Sequence, residues 1–106
     1  MALDVQLESK ANDVLITLSG ELDAASARAF QGKVEEAAAL NPQRLVVMAG
    51  GLTFMASAGL RVLIFAKQKM GEAVSIHVVG AEGPVLRTIE MSGFDRAVHL
   101  MDTYDG

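Results

Sequence analysis

The 106-residue chain contains no cysteine, so it can form neither a disulfide framework nor a thiolate zinc site. Its first residues, Met1-Ala2-Leu3-Asp4, lack the basic region and the apolar stretch of a secretion signal. No apolar run approaches the roughly 20 residues that a helix needs to cross a bilayer. We therefore expect a cytoplasmic protein with no membrane insertion.

Positive charge is also scarce. Nine Lys and Arg residues stand against 13 acids, which gives a net charge of −4, and the basic residues do not cluster. This balance argues against binding to nucleic acid or to anionic membranes. A glycine-rich Walker pattern is missing as well, so ATP is not expected to be held by a P-loop. The chain is expected to carry no cofactor.

The chain is rich in hydrophobic residues, at 51%, which is enough for one continuous core in a single domain over 1–106. Asn12 and Asp13 supply the turn of a hairpin, Gly20 ends its second strand, and 20–23 forms a short loop. The patterns predict the order ββαβαβαβ, over about 5–8, 14–18, 24–40, 45–48, 57–70, 74–79, 84–93 and 97–101. Single helices between strands predict an α/β fold, with a mixed sheet of four to five strands and three or four helices packed on it.

The helix predicted over 57–70 has apolar residues on nearly every side. One interpretation is that the small domain buries this helix deeply. The other is that Val62 or Phe65 stays exposed and contacts a partner protein.

Ser57 follows an apolar run and comes at the start of that helix. The backbone N–H groups of a helix start have no partner in the helix, and the positive end of the dipole favours an added anion. A serine placed there can accept a phosphate without disrupting the helix. The alternative interpretation is a simple N-cap, in which the hydroxyl only accepts a backbone hydrogen bond. Asp23 is likewise a candidate N-cap for the helix predicted from residue 24.

Two other kinds of site fit the residues poorly. Ser57, Asp95 and His99 follow the chain order of a hydrolase triad, but Met55 occupies the first glycine position of the required Gly-x-Ser-x-Gly elbow. His77 and His99 lie in separate apolar segments with no carboxylate at ligand spacing, so we interpret them as ordinary strand residues.

Three segments of the chain resemble the STAS domain family, and most closely its small bacterial members, the anti-sigma-factor antagonists. The resemblance covers about 5–101 with the elements in matching order. It rests on Gly20-Glu21-Leu22-Asp23, Leu52-Thr53-Phe54-Met55-Ala56-Ser57-Ala58-Gly59-Leu60 and Met91-Ser92-Gly93-Phe94.

The resemblance implies a partner-switching protein. In such a family the unphosphorylated domain binds an anti-sigma factor that is a serine kinase, and phosphorylation of the serine matching Ser57 ends the complex. A phosphatase of the PP2C type then removes the phosphate. The partner surface implied for this chain surrounds the phosphorylation site, at Asp23, Ala56, Ala58, Gly59, Leu60 and Arg61.

The chain departs from the family pattern at two positions. Ala56 stands where members usually carry an acid, and Met48 stands near the end of the central strand in place of an acid or asparagine. Both changes remove polarity beside the phosphorylation site. They leave open an alternative, a STAS structural or regulatory subunit of a transporter or signalling scaffold that is not phosphorylated. A homodimer also remains open.

Overall fold

A computed structural model describes residues 3–104, so residues 1–2 and 105–106 of the predicted domain lie outside the described part. The helices and strands follow the predicted order, and a 3₁₀ turn at Phe94–Arg96 precedes the last strand. Their bounds are β1 Leu3–Lys10, β2 Asp13–Leu22, α1 Ala27–Ala39, β3 Arg44–Met55, α2 Ser57–Met70, β4 Ser75–Val79, α3 Gly83–Ser92 and β5 His99–Met101.

The five strands form one sheet in chain order, from β1 to β5. β1 and β2 are an antiparallel hairpin, whereas β2, β3, β4 and β5 run parallel to one another. Each parallel neighbour is reached through a helix, as crossover connections require. The predicted α/β class with a mixed sheet is confirmed.

The side chains of the parallel strands alternate between two faces. The helix-packed face carries the main core, where Val14, Ile16 and Leu18 of β2 pack with the helices. The intervening residues form a smaller cluster, which we call the second face and define by Leu15, Val46 and Val79. Met48, Met101 and Tyr104 pack against this cluster.

β2 and β3 are longer than predicted, and the predicted loop over 20–23 is wrong. β2 continues through Gly20 to Leu22, and β3 continues through Gly51. A Cβ at Gly51 would lie 2.7 Å from the Cβ of Ser19, so glycine lets the two strands approach closely at a shift in their register. Gly51 therefore permits close strand packing, and Gly20, which was predicted to end a strand, lies inside β2 with φ 101°.

Other boundaries differ by smaller amounts. α1 begins at Ala27, three residues after the predicted start, because residues 24–26 form turns. Asp13 lies in β2, and the hairpin turn is formed by Ala11 and Asn12. α2 has the predicted bounds, and it ends at Gly71 with φ 74°.

α2 lies in contact with both α1 and α3, which explains its nearly all-round apolar pattern. Val62 is buried, so the interpretation in which this residue stays exposed and contacts a partner is wrong. Phe65 is half-buried and packs against the main core. The interpretation that the domain buries α2 deeply is therefore confirmed at Val62.

Candidate functional site

The candidate site lies where β2 and β3 end side by side. Leu22 and Met55 are register partners, and the backbone N–H of Ala56 donates to the carbonyl of Leu22 at 2.8 Å. Asp23, which follows β2, and Ser57, which follows β3 after Ala56, therefore emerge at the same edge of the sheet. Carboxyl ends of parallel strands are where α/β sheets usually carry their functional groups.

Ser57 is the first residue of α2, and its side chain is exposed. The N-cap position belongs to Ala56, with φ −82° and ψ 168°, and it carries no side-chain cap. The Ser57 hydroxyl instead accepts a long hydrogen bond, 3.5 Å, from Nη2 of Arg61. The interpretation of Ser57 as an N-cap is therefore wrong, because its oxygen lies one position too late in the helix and faces solvent.

The backbone around Ser57 suits an anion. The carbonyl of Ala56 accepts from the N–H groups of Gly59 and Leu60, at 3.0 and 3.2 Å. Helix geometry leaves the N–H groups of Ser57 and Ala58 without an acceptor inside the helix. An anion on the Ser57 oxygen would lie beside the positive end of the α2 dipole.

Asp23 is fixed by reciprocal hydrogen bonds with Ser26. The Ser26 N–H donates to Oδ1 of Asp23 at 3.0 Å, and the Asp23 N–H donates to Oγ of Ser26 at 3.0 Å. The Ala27 N–H donates to the carbonyl of Asp23, which continues the turn into α1. Asp23 thus closes the turn before α1 in the reciprocal pattern of a capping box. The prediction of Asp23 as the N-cap of the helix is wrong, because the helix begins later and its N-cap position belongs to Ser26.

The Asp23 carboxylate is held in its charged form. Hydrogen bonds from the backbone and the hydroxyl of Ser26 lower the pKa of Asp23, while partial burial opposes them. The site therefore carries one fixed negative charge beside Ser57 at neutral pH. Ser26 was missed by the sequence analysis, although the spacing Asp23-x-x-Ser26 was a usable signal.

The remaining predicted contact residues differ in their exposure. Arg61 is exposed, whereas Ala56, Ala58 and Leu60 are half-buried. Gly59 is buried, and a Cβ placed on it would lie 2.5 Å from Cγ of Leu22. Gly59 therefore packs α2 against the end of β2.

Phe54 adds an exposed aromatic ring that the sequence analysis did not single out. Its side chain is 45% exposed, while its neighbours Leu52 and Met55 are buried. It lies near the end of β3, opposite Glu21 of β2 in the ladder. An apolar ring so close to Ser57 extends the candidate surface with a group that protein partners commonly bury.

The two histidines lie away from Ser57. His77 and His99 are partners in the β4–β5 ladder, and their rings stack with centroids 4.7 Å apart. Through His77, His99 lies level with Val46 of β3, whereas Ser57 follows the far end of that strand, so the triad order seen in the sequence forms no triad. Within residues 3–104 no group of three or more His, Cys, Asp or Glu side chains could hold a metal.

The fold and the site together define a small α/β domain that presents one serine hydroxyl at the start of a helix beside a fixed carboxylate. A family model described as "Mlab, STAS domain" matches residues 5–102. The chain belongs to the STAS domain family, which confirms the resemblance stated above.

Known relatives agree with this assignment. The chain is 30% identical over 89 residues to the anti-sigma-F factor antagonist RsfB of Mycobacterium tuberculosis, covering 84% of this chain and 73% of that protein. A crystal structure of an anti-sigma factor antagonist from Mycobacterium paratuberculosis has a TM-score of 0.90 at 28% identity, over 98% of this chain and 89% of that one.

A more distant structure shares the fold. SpoIIAA in its unphosphorylated form, described as an anti-sigma factor antagonist, has a TM-score of 0.75 at 22% identity, over 96% of this chain and 91% of that one. None of the helices within residues 3–104 has the length and apolar character needed to span a membrane.

Proposed function

We propose that this protein is an anti-sigma-factor antagonist that works in the cytoplasm by partner switching. In the unphosphorylated state it binds an anti-sigma factor that is also a serine kinase. Phosphorylation at Ser57 releases the partner, and a PP2C-type phosphatase resets the protein. The observation that carries the proposal is the exposed Ser57 hydroxyl at the first position of α2, which no cap interaction occupies. The names of the two mycobacterial relatives support the antagonist role.

The proposed docking surface surrounds that hydroxyl. Arg61 and Phe54 would contribute a cation and an aromatic ring, since both are exposed. The short side chains of Ala56 and Ala58 would let a partner backbone or a kinase active site approach Ser57 closely. Asp23 would border the surface as a fixed negative charge. Leu60 and Gly59 would contribute mainly by holding the helix start in place.

The chemical step is a phosphoryl transfer supplied by the kinase and ATP. Oγ of Ser57 attacks the γ-phosphorus, the bond to the bridging β,γ-oxygen breaks, and ADP leaves. The hydroxyl proton passes to a base of the kinase. The product carries about −1.5 to −2 charge where a neutral hydroxyl stood.

The added charge acts differently on the domain and on the complex. The domain tolerates the phosphate because Ser57 is exposed and lies beside free N–H groups at the helix start. A partner packed on the same surface would have to bury a phosphate for which the partner itself offers no matched cation. That burial costs several kcal/mol, which corresponds to a loss of affinity of about a thousandfold or more.

Variants of Ser57 test the proposal with the anti-sigma kinase encoded nearest its gene. Ser57→Ala should bind the kinase and stay bound when ATP is added, because it offers no hydroxyl. Ser57→Asp should bind more weakly by at least about tenfold, since it places one charge at the same position. Binding is measured by titration calorimetry.

Ser9→Asp is the matched control. Ser9 is exposed on β1 and pairs with Val14, near the start of β2 and at the opposite end of that strand from Asp23. The Ser9→Asp variant adds the same charge away from the docking surface, so it should leave the affinity for the kinase unchanged. Binding of Ser57→Asp as tight as that of Ser9→Asp would refute the charge switch.

A second candidate is a constitutive STAS subunit of a transporter or signalling scaffold. Ala56 favours it, because the N-cap position beside Ser57 lacks the acid that the family pattern carries there. Intact mass of the protein purified from its own host separates the two functions. A phosphate on Ser57 that phosphatase treatment removes supports the switch, and an unmodified protein under all growth conditions supports the subunit.

A further inference from the structure

Arg61 lies where it can reach a phosphate on Ser57. The two residues are four positions apart on α2, and Nη2 of Arg61 already lies 3.5 Å from the Ser57 hydroxyl. Both side chains are exposed, so the guanidinium can move without repacking the core. An acidic group followed four residues later by a basic one is the favourable order for a helical ion pair.

Among the basic residues of α2, Arg61 is the one near Ser57. The first turn of α2 contains no acidic residue that would compete for the guanidinium. Lys67 and Lys69 lie in the last turn of the helix, about 15 to 18 Å along its axis. Asp23 adds a fixed negative charge at the same sheet edge, which repels a phosphate and makes a nearby cation more important.

We infer that Arg61 is the cation that holds the phosphate of phosphorylated Ser57 within the same chain. In the unphosphorylated protein the guanidinium faces solvent and is available to a partner. After phosphorylation it closes onto the phosphate oxygens in a charge-assisted contact. This inference rests on the proposed function, since it requires a phosphate on Ser57.

The contact would give the switch two effects at once. The phosphate places an anion on the docking surface, and the same event withdraws Arg61 from that surface. A partner that pairs an acidic side chain with Arg61 therefore loses this contact when Ser57 is phosphorylated. The phosphorylated domain keeps its fold, because the new charge is partly neutralised by a residue of the same helix.

Phosphorus NMR tests the contact without any kinase. Phosphoserine is installed at position 57 during translation by an expanded genetic code, and the ³¹P chemical shift is followed from pH 4 to pH 8. A nearby guanidinium stabilises the dianion, so the midpoint of the titration should be lower in the otherwise unmodified chain. In Arg61→Gln it should rise by about 0.3 pH unit or more.

Two further variants make the result specific. Lys69→Gln removes one positive charge from the far end of the same helix and should leave the midpoint within about 0.1 unit, because solvent and salt screen distant charges. Arg61→Lys keeps the charge without the planar fork and should fall between Arg61→Gln and the parent chain. Equal midpoints in Arg61→Gln and the parent, or an equal rise in Lys69→Gln, would overturn the inference.

The NMR test of Arg61 and the binding test of the proposed switch can fail independently of each other. If the kinase fails to distinguish phosphorylated from unmodified protein, the switch is refuted whatever the midpoint shows. If the kinase distinguishes them but Arg61→Gln leaves the midpoint unchanged, the switch stands and the role of Arg61 is refuted.

Discussion

Gly59 brings the backbone of α2 directly onto the side chain of Leu22, at the point where β2 ends. A Cβ at this position would lie 2.5 Å from Cγ and 2.6 Å from Cδ2 of Leu22, and 3.3 Å from Cγ of Met55. Leu22 is fully buried, so it has little room to move. The glycine therefore sets how closely α2, and with it Ser57, approaches the sheet edge.

We expect Gly59→Ala to lower the free energy of unfolding by about 1–3 kcal/mol, because overpacking outweighs the gain in helix propensity. Gly32→Ala is the matched control in the middle of α1, where nothing lies within 4 Å of the added methyl group. That variant should be neutral or more stable by up to about 1 kcal/mol. Urea denaturation measures both, and equal stabilities would show that the contact with Leu22 is not tight.

Single residues also show which parts of the site can be predicted from the sequence. Ser57 was predicted at a helix start from local pattern alone, since apolar runs and helix periodicity are local signals. The packing of Gly59 on Leu22 joins residues far apart in the chain, and no local pattern reports it. The exposure of Phe54 depends on how the end of β3 lies beside β2, which is likewise a property of the fold.

At the level of strands, the starts of β2 and β3 are joined by an ion pair. Nε and Nη2 of Arg44 donate to the two carboxylate oxygens of Asp13 at 2.9 and 2.6 Å. The hydroxyl of Tyr104, from the segment after β5, donates to the same carboxylate at 2.6 Å. Tyr104 also packs against Leu15, Val46 and Val79, so this segment covers part of the second face.

This cluster should make stability depend on pH. Hydrogen bonds from Arg44 lower the pKa of Asp13 below its usual 3.8, against the opposing effect of burial, and Tyr104 adds to the lowering. The folded state therefore prefers the charged carboxylate more strongly than the unfolded state does. The resulting stability is fully present above about pH 4 and is lost as the pH falls through the pKa of the folded protein.

We expect Asp13→Asn to be less stable than the parent by about 1.5–3 kcal/mol at pH 7, because it weakens hydrogen bonds to a charged group. The difference should shrink as the pH is lowered below 3.8, because the unfolded parent is protonated there first and the folded carboxyl becomes neutral at a lower pH. Asp102→Asn alters an exposed acid of the same C-terminal segment and should show little difference at any pH. A deficit for Asp13→Asn that stays constant down to pH 2 would argue against the ionised pair.

The strands and helices also show why parts of the fold could not be predicted from the sequence. The order of strands and helices and the bounds of α2 were predicted correctly, because each depends on local periodicity. Gly20 was predicted to end its strand because a glycine that ends a strand and one that adopts a positive φ within a strand look alike in sequence. Asp13 was interpreted as a turn residue because its partners Arg44 and Tyr104 lie 31 and 91 residues away.

Across the whole molecule, the two ends of the parallel strands carry different groups of polar residues. The strand starts carry the Asp13 cluster, which joins β2 and β3 to the C-terminal segment. Beyond the strand ends lie the half-buried Asp23, whose carboxylate is held by Ser26, and the exposed Ser57 and Arg61 of α2. Under the proposed switch, a phosphate would alter docking at one end while the interactions that stabilise the sheet at the other end stay unchanged.

The affinity of the phosphorylated protein for its partner tests the central claim most directly. Phosphoserine is installed at position 57, or at position 9 as a control of equal charge, and each protein is titrated into the anti-sigma kinase encoded nearest its gene. Phosphoserine at position 57 should raise Kd by about a thousandfold or more, with phosphoserine at position 9 leaving it within about threefold. Equal Kd values for the two phosphorylated proteins and the unmodified one would contradict the proposed switch.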